Sequence, residues 1–362
     1  MASSSQSSLP PTEKSVYVRA INSDFDNEWY SFPLNGPPYI RDGKRKRGLG
    51  RRKRKRGIGG RSLPLLTPLN PKMNSLFASF AVVDSTIYSI GGNSPGMDTA
   101  WEVYREVCSW DTSRVEEESW ETSPSMGGAR SIPQVVTLNG MIYVMGGISG
   151  EDDGPHPWAE VFDPKSGSWS SLNQPCPKPS FGGSFSAALP STNQVLVGSA
   201  VDGFICLYNV GSKTWEHLHH EIDCLPSSDE RPVVAGTTLF WFQYGMLHAY
   251  DLLGKWNYSA PVRGLEDVVP LEVFKPDSGC SSSQLLCLAD NDVCLVCCEY
   301  SNTKKHLGLL HCIRISVSPI ILRGRKAHFD AVVATSQAYF FKMPRAIRDA
   351  VLMDDLFTLL KE

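Results

Sequence analysis

Two stretches of the chain repeat each other, and this repeat decides the fold. The first is FASFAVVDSTIYSIGG, residues 77–92, and the second is IPQVVTLNGMIYVMGG, residues 132–147. Each reads as an apolar strand, a tight turn, a second apolar strand and a pair of glycines. The turn of the second copy is Asn139-Gly140, a strong hairpin signal. The glycine pairs, Gly91-Gly92 and Gly146-Gly147, are 55 positions apart.

A tryptophan follows each of four such hairpins. Trp120 and Trp169 follow the two glycine pairs, and weaker copies of the pattern lead to Trp215 and Trp256, so the tryptophans step by 49, 46 and 41 residues. A period of about 40–50 residues with four strands per unit is typical of a β-propeller. Each unit is a small antiparallel sheet, and packing the units around an axis buries faces that one sheet cannot bury alone.

These residues resemble the kelch family, whose pattern is an apolar stretch, a glycine pair, a spaced Tyr or Phe and a later tryptophan. The resemblance is strong over 77–174 and fair over 183–262, where Gly198-Ser199 and Phe242-Gln243 replace the glycine pair. It implies an all-β, kelch-type β-propeller in which the glycine pair closes the second strand and the tryptophan packs between blades. The layout is similar to plant kelch proteins, including those with an N-terminal F-box.

The copies and the two chain ends together predict six blades, with five or seven as the alternatives. Five blades are expected at residues 77–123, 131–174, 183–220, 231–262 and 268–318, the last of them divergent. Residues 15–34, with Trp29, read as a third and fourth strand, and residues 327–341 read as a first and second strand. Joining them gives one composite blade and closes the ring without a free edge.

The ends of the chain carry further predictions. Residues 1–14 are polar and have no apolar core, so we expect a disordered tail and no secretory signal. An F-box would need a leucine-rich helical segment before the first strand, and these few polar residues predict none. Residues 342–362 carry apolar residues at roughly helical spacing, from Ile347 to Leu360, and this spacing predicts a short C-terminal helix.

Residues 35–70 read as a Gly/Pro-rich loop insert with a strongly basic centre. Ten of the thirteen residues from 44 to 56 are cations and none is acidic. The cations are Lys44, Arg45, Lys46, Arg47, Arg51, Arg52, Lys53, Arg54, Lys55 and Arg56. Without these ten, 25 of the 35 basic residues remain against 38 acidic residues, a balance of −13. The total of −3 therefore averages an acidic body and a cationic segment.

Three interpretations of the basic block stay open. It suits a nuclear localisation signal that an import carrier would bind, a polyanion contact driven by counterion release, or a solvated insert with no partner. A segment without aromatic residues cannot stack bases, so any nucleic-acid association would be weak and non-specific. The chain has no apolar run that could cross a membrane. We therefore expect a nuclear or cytoplasmic protein that is neither secreted nor membrane-bound.

The sequence predicts no cofactor, metal site or catalytic group. Cys294, Cys297 and Cys298 share one apolar strand, but alternation turns Cys297 to the opposite face, which disfavours a single tetrahedral zinc site. No nucleophile elbow or phosphate loop is present. The leading hypothesis is thus a non-catalytic scaffold for unidentified protein partners. The alternatives are an enzyme that acts on a small molecule or carbohydrate in the central funnel, and loose nucleic-acid association through the basic block.

Overall fold

The computed structural model describes most of the chain between Lys14 and Asp354. The ranges inside these limits that it does not describe are 22–26, 37, 40–62, 74, 95–101, 115–118, 150–155, 176, 181–183, 219–224, 227–229, 255, 276–282, 301–306, 323–324 and 343–345. Residues 1–13 and 355–362 also lie outside the described part. The basic block 44–56 and all of the predicted tail 1–14 except Lys14, which begins the strand β1, therefore lie outside the described residues.

The described chain is almost entirely β-structure, with three single-turn 3₁₀ helices at Pro190–Thr192, Leu265–Asp267 and Leu271–Phe274. In chain order the strands are β1 (Lys14–Ile21), β2 (Asn27–Pro33), β3 (Leu69–Met73), β4 (Ser79–Val83), β5 (Thr86–Ile90), β6 (Val107–Asp111), β7 (Glu121–Ser123), β8 (Gln134–Leu138), β9 (Met141–Met145), β10 (Ala159–Asp163), β11 (Ser168–Leu172), β12 (Ser184–Leu189), β13 (Gln194–Ser199), β14 (Phe204–Asn209), β15 (Thr214–Leu218), β16 (Val233–Ala235), β17 (Thr238–Gln243), β18 (Met246–Asp251), β19 (Trp256–Arg263), β20 (Gln284–Ala289), β21 (Asp292–Tyr300), β22 (Leu307–Leu322), β23 (Arg325–Lys342) and β24 (Ala346–Asp354).

These strands group into six sets of four. Blade 1 has the order β24-β1-β2-β3, and blades 2, 3 and 4 are the antiparallel sheets β4–β7, β8–β11 and β12–β15. Blades 5 and 6 are β16–β19 and β20–β23, and they merge into one eight-stranded sheet. Among the described residues, the strand pairing that merges them is a short parallel one, in which Val262 and Arg263 of β19 pair with Ala331 and Val332 of β23.

The first strand of each blade is the innermost strand of a ring. The inner strands contact one another in the closed cycle β4, β8, β12, β16, β20, β24 and back to β4. Six hydrophobic cores occupy the seams, one between each pair of neighbouring blades, as where Tyr88 of blade 2 packs with Ile142 and Phe162 of blade 3. The chain is thus an all-β propeller, and the cycle of inner strands supports six blades.

The Asn139-Gly140 pair forms the turn between β8 and β9. Leu138 pairs with Met141, so the connection has two residues. Asn139 and Gly140 both have positive φ angles, 53° and 74°. A type I′ turn requires positive φ at both positions, and Asn and Gly are the residues that adopt it most readily. Local sequence chemistry therefore sets the register of this hairpin.

The predicted C-terminal helix over 342–362 is wrong where the structure describes it, because residues 346–354 are the strand β24. β24 pairs with β1 and is buried on both faces. Ala350 and Leu352 pack in the core shared with blade 6, whereas Val351 and Met353 pack in the core shared with blade 2. A strand buried on both faces has few polar positions to reveal a period of two, so its apolar residues imitated helical spacing.

The composite blade closes the ring with a different division of strands from the predicted one. Residues 15–34 supply its second and third strands, β1 and β2, and the fourth strand is β3, which begins in the last two residues of the predicted loop insert 35–70 and continues past it. Residues 327–341 belong to one strand, β23, which is the outer strand of blade 6. The divergent blade therefore extends beyond residue 318. Polar residues near Thr335 in the middle of β23 resembled a hairpin turn in the sequence.

The two ends of the predicted loop insert are anchored against β23. The Tyr39 N–H donates to the carbonyl of Ser336 at 2.6 Å, and the Ser336 hydroxyl donates back to the Tyr39 carbonyl at 2.7 Å. Beyond the basic block, the Leu66 N–H donates to the carbonyl of Phe340 at 2.7 Å. The basic block is therefore bracketed by two short segments held at the outer edge of blade 6.

Candidate protein-interaction face

The strand directions divide the connections between two faces of the ring. In each blade the turns from first to second strand and from third to fourth strand lie at one end, which we call the turn face. The connections from second to third strand, and from the fourth strand to the next blade, lie at the other end, which we call the loop face. Loops gathered at one end of a rigid β-scaffold are where such folds place binding residues.

The glycine pairs lie on the loop face, where the chain leaves the second strand. Gly91 and Gly92 have φ angles of 63° and 101°. A Cβ on Gly92 would lie 2.1 Å from the Ser75 Oγ and 2.5 Å from the Leu76 carbonyl oxygen. A Cβ on Gly147, at φ 91°, would lie 2.8 Å from the Ser131 carbonyl oxygen. Only glycine combines these backbone angles with such close approach of another backbone segment.

Two of the repeated tryptophans make the same bond between blades. The indole N–H of Trp169, in β11, donates to the carbonyl of Pro124 at 2.8 Å, and that of Trp215, in β15, donates to the carbonyl of Asn173 at 2.7 Å. Each acceptor follows the fourth strand of the preceding blade. The tryptophan therefore joins a blade to the one before it, and the device repeats with the blade.

The other two tryptophans depart from that arrangement. Trp120 precedes β7 and packs near Trp110, with ring centroids 6.0 Å apart. Trp256 is the first residue of β19 and is half-buried against the core between blades 5 and 6. The two positions align in sequence with Trp169 and Trp215, but their neighbours differ. Trp120 packs near Trp110, and Trp256 packs against the core between blades 5 and 6.

A buried ion pair on the loop face was not predicted from the sequence. Arg130 lies between blades 2 and 3, and its guanidinium contacts the Glu160 carboxylate at 2.8 Å, with both side chains almost fully buried. Arg130 also donates to the carbonyls of Gly146 and Trp158, at 2.8 and 3.1 Å, and to that of Pro157. In the sequence, Arg130 and Glu160 each stand as a single charge among mostly apolar neighbours, and only their contact in the fold explains why both are there.

Exposed apolar side chains concentrate on the loop face. Among the described residues, seven large hydrophobic side chains are exposed, and five of them lie on this face. The five are Phe77, Ile148, Val201, Tyr244 and Leu271. Of the other two, Leu253 lies on the turn face, and Leu65 lies beside Phe340 at the outer edge of blade 6. Single exposed apolar residues are common on protein surfaces, but their concentration on one face makes that face the candidate interaction surface.

Three bulky residues on the loop face adopt left-handed backbone angles. Phe77, Ile132 and Tyr244 have φ angles of 57°, 51° and 52°. Phe77 and Ile132 occupy equivalent positions before the inner strands of blades 2 and 3, and the Ile132 N–H donates to the Phe77 carbonyl at 2.9 Å. Such conformations cost free energy and persist where the surroundings impose them, often at functional sites.

A carboxylate ties two loops of this face together. Asp202, between β13 and β14, accepts the Ser180 N–H at 2.6 Å and the Ser180 hydroxyl at 2.8 Å. These bonds, that from the Ser180 N–H above all, hold the pKa of Asp202 below its usual range. Ser180 belongs to the connection between blades 3 and 4. The carboxylate therefore orders the mouth of the seam between these blades above acidic pH.

The three cysteines of β21 pack in cores on opposite faces of the strand, as their alternation predicts. Cys294 and Cys298 lie in the core between blades 6 and 1, and Cys297 lies in the core between blades 5 and 6. Burial raises the pKa of the Cys297 thiol. Across the described ranges, no group of three or more His, Cys, Asp or Glu side chains is arranged to hold a metal ion. His219, His220 and His306 lie outside those ranges.

Comparison with known proteins gives a family match over most of the chain. The family described as FKB95, Kelch-repeats domain, matches residues 46–318. F-box/kelch-repeat protein At4g19870 of Arabidopsis thaliana is 29% identical over 303 residues, which cover 81% of this chain and 66% of that protein. F-box/kelch-repeat protein At4g33900, from the same plant, is 27% identical over 266 residues, 68% of each protein.

The matches leave part of each relative uncovered. The chain spans 50% of one further Arabidopsis F-box/kelch relative and 66% of At4g19870. Among solved structures, that of YjhT aligns with a TM-score of 0.50 at 13% identity, covering 83% of this chain and 92% of YjhT. Such a low identity shows a shared fold and nothing more. Within the described part of the chain, no helix is long and apolar enough to cross a bilayer.

Proposed function

The chain belongs to the kelch-repeat family described as FKB95, and from that premise we propose that it is a non-catalytic propeller that binds protein partners through its loop face. The observation that carries the proposal is the one-sided distribution of exposed apolar side chains. Interfaces between proteins are enriched in aromatic residues at their centre. Phe77 and Tyr244 supply such residues, 42% and 65% exposed, from blades on different sides of the ring.

Replacing both aromatic residues with asparagine should abolish partner capture without harming the fold. Asn tolerates positive φ better than Phe or Tyr, so Phe77→Asn and Tyr244→Asn should keep the local backbone. We expect at least a tenfold loss of the proteins recovered with the tagged chain from plant extract, because exposed aromatic anchors dominate such interfaces. The measurement is quantitative mass spectrometry after affinity purification, with circular dichroism to verify folding.

The matched control removes the same kind of surface from the opposite face. Leu253→Asn deletes the exposed leucine of the turn face. This variant should recover the same partners in the same amounts as the unaltered chain. Equal loss in both variants, or loss only in the control, would contradict the assignment of the loop face.

The basic block supports a second part of the proposal, delivery to the nucleus. Clustered lysines and arginines are what an acidic carrier groove binds. Changing Lys and Arg at 51–56 to alanine should shift a fluorescently tagged chain from the nucleus to the cytoplasm, since six of the ten cations are lost. Confocal imaging measures the nuclear fraction, and a variant with the six cations exchanged between Lys and Arg is the matched control. An unchanged nuclear fraction in the alanine variant would refute the targeting role.

A further inference from the structure

A cleft of about 410 Å³ opens on the turn face between blades 5 and 6. The half-buried Trp256 contributes aromatic surface to it, the buried Phe240 and Phe329 line it from the core side, and Thr237, Asp290 and Asn291 contribute polar groups. Its volume lies within the range of small-molecule sites, which combine a mostly apolar lining with a few placed polar groups. The cleft lies on the face opposite to the proposed protein-binding face, so it is a separate site.

Two irregularities of the neighbouring blades create this cleft. The inner strand β16 has three residues, whereas β12 of the preceding blade has six. The strands β22 and β23 also extend beyond the end of the neighbouring strand β21. β21 pairs with β22 only as far as Asp292 and Ser316, but β22 and β23 stay paired as far as Leu322 and Arg325. Val317 and Phe329 lie in this extended hairpin and form one wall of the cleft.

The wall is held firmly against blade 5. The Phe329 ring lies edge-on to Phe240 with centroids 5.9 Å apart, and edge-on to Tyr258 with centroids 5.3 Å apart. Arg263 and Asp330 form an ion pair that ties β19 to the same hairpin, with the Arg263 Nε 3.0 Å from the carboxylate. The aromatic lining is therefore pre-formed, and a ligand would not have to order it.

One charge of definite sign faces this lining. Asp290, in the turn between β20 and β21, is exposed, and it is the only ionisable side chain among the described residues that line the cleft. The Thr237 hydroxyl already donates to Asp251 at 3.1 Å. The described lining residues of the cleft thus offer one carboxylate beside aromatic rings and no cation.

We propose that this cleft binds an organic cation, an ammonium or guanidinium group carried on an aromatic or aliphatic body. The carboxylate of Asp290 pairs with the charge, and the electron-rich faces of aromatic rings attract cations as well. The apolar body of the ligand occupies the space between the Phe329 wall and Trp256. The same chemistry is present in a free amine and in an arginine or lysine side chain of a peptide.

The test is calorimetric titration of the full chain with two pairs of probes. Tryptamine and its uncharged derivative N-acetyltryptamine represent a free amine, and the amides of N-acetylarginine and N-acetylcitrulline represent a peptide side chain. Each cationic probe that binds should do so about two- to fivefold more tightly than its neutral partner, the range typical of one exposed ion pair. Binding of tryptamine alone indicates a free amine as ligand, and binding of the arginine derivative alone indicates a peptide.

Variants locate the binding within the cleft. Asp290→Asn should weaken the cationic probes about two- to fivefold and leave the neutral ones unchanged, because it removes the charge and keeps the size. Asp84→Asn is the matched control, since Asp84 is an exposed carboxylate in the corresponding turn of blade 2. Equal affinity for charged and neutral probes, equal effects of the two variants, or no saturable binding of either cation at millimolar concentration would overturn the proposal.

Discussion

A chain that ends after Lys342 should fail to fold, whereas a chain that ends after Asp354 should unfold like the full protein. The shorter chain lacks β24, the inner strand of blade 1. β24 contacts the inner strands of both neighbouring blades, β20 and β4, besides pairing with β1. Its removal opens the ring at its centre and exposes the edge of β1, because no other strand can take the vacant position.

The expected loss is comparable to the whole stability of a domain. Ile347 is fully buried and Met353 is 4% exposed. Truncating a buried Ile or Met to Ala costs about 2–5 kcal/mol, so losing both removes about 4–10 kcal/mol before the lost strand pairing is counted. Domains are typically stable by about 5–15 kcal/mol. Size-exclusion chromatography and urea unfolding followed by circular dichroism would show aggregation or the absence of a cooperative transition.

Two adjacent substitutions separate the strand from a one-sided helix. Leu352 faces the core between blades 6 and 1, and Val351 faces the core between blades 1 and 2. Val351→Asp and Leu352→Asp should both lower the urea midpoint, because each places a charge in a different apolar core. A helix that packs by one face would tolerate one of the two. A normal midpoint for either variant, or a cooperative transition in the chain ending after Lys342, would contradict the role of β24.

The parts of the fold that could be predicted are those in which local chemistry repeats. The Asn139-Gly140 turn, the glycine pairs and the spaced tryptophans mark the hairpins and the repeat from which an all-β propeller could be predicted. The ends of the chain carry no such marks. β23 has polar residues in its middle and β24 has none at regular intervals, so their patterns predicted a hairpin and a helix in place of two strands.

The candidate sites could be predicted less well because they depend on residues distant in sequence. Phe77 and Tyr244 are 167 positions apart, so the sequence alone does not show that the antiparallel strands bring both to the loop face. The cleft between blades 5 and 6 depends on the shortness of β16 and the length of β22, neither of which has a local signature. The basic block is the reverse case, since composition alone identifies it and no folded neighbour is needed to explain it.

Replacing Arg130 with methionine should destabilise the protein by about 3–5 kcal/mol, the usual cost of removing one partner from a buried ion pair. The Glu160 carboxylate would remain buried, keeping only its bond from the Gly127 N–H at 2.7 Å. The carbonyls of Gly146 and Trp158 would also lose their donor. Urea unfolding monitored by tryptophan fluorescence measures the change, and the midpoint should fall without a change in slope.

The exposed ion pair between Arg263 and Asp330 provides the matched control. Arg263→Met removes the same group, but the Arg263 side chain is 65% exposed, so water can replace the lost contact and the cost should stay below about 1 kcal/mol. Arg130→Met combined with Glu160→Met should cost less than Arg130→Met alone, because the second change removes the stranded charge. A double variant as unstable as the sum of its parts would show that Arg130 acts through the carbonyls it bonds. If Arg130→Met were as mild as Arg263→Met, the ion pair would have no part in joining blades 2 and 3.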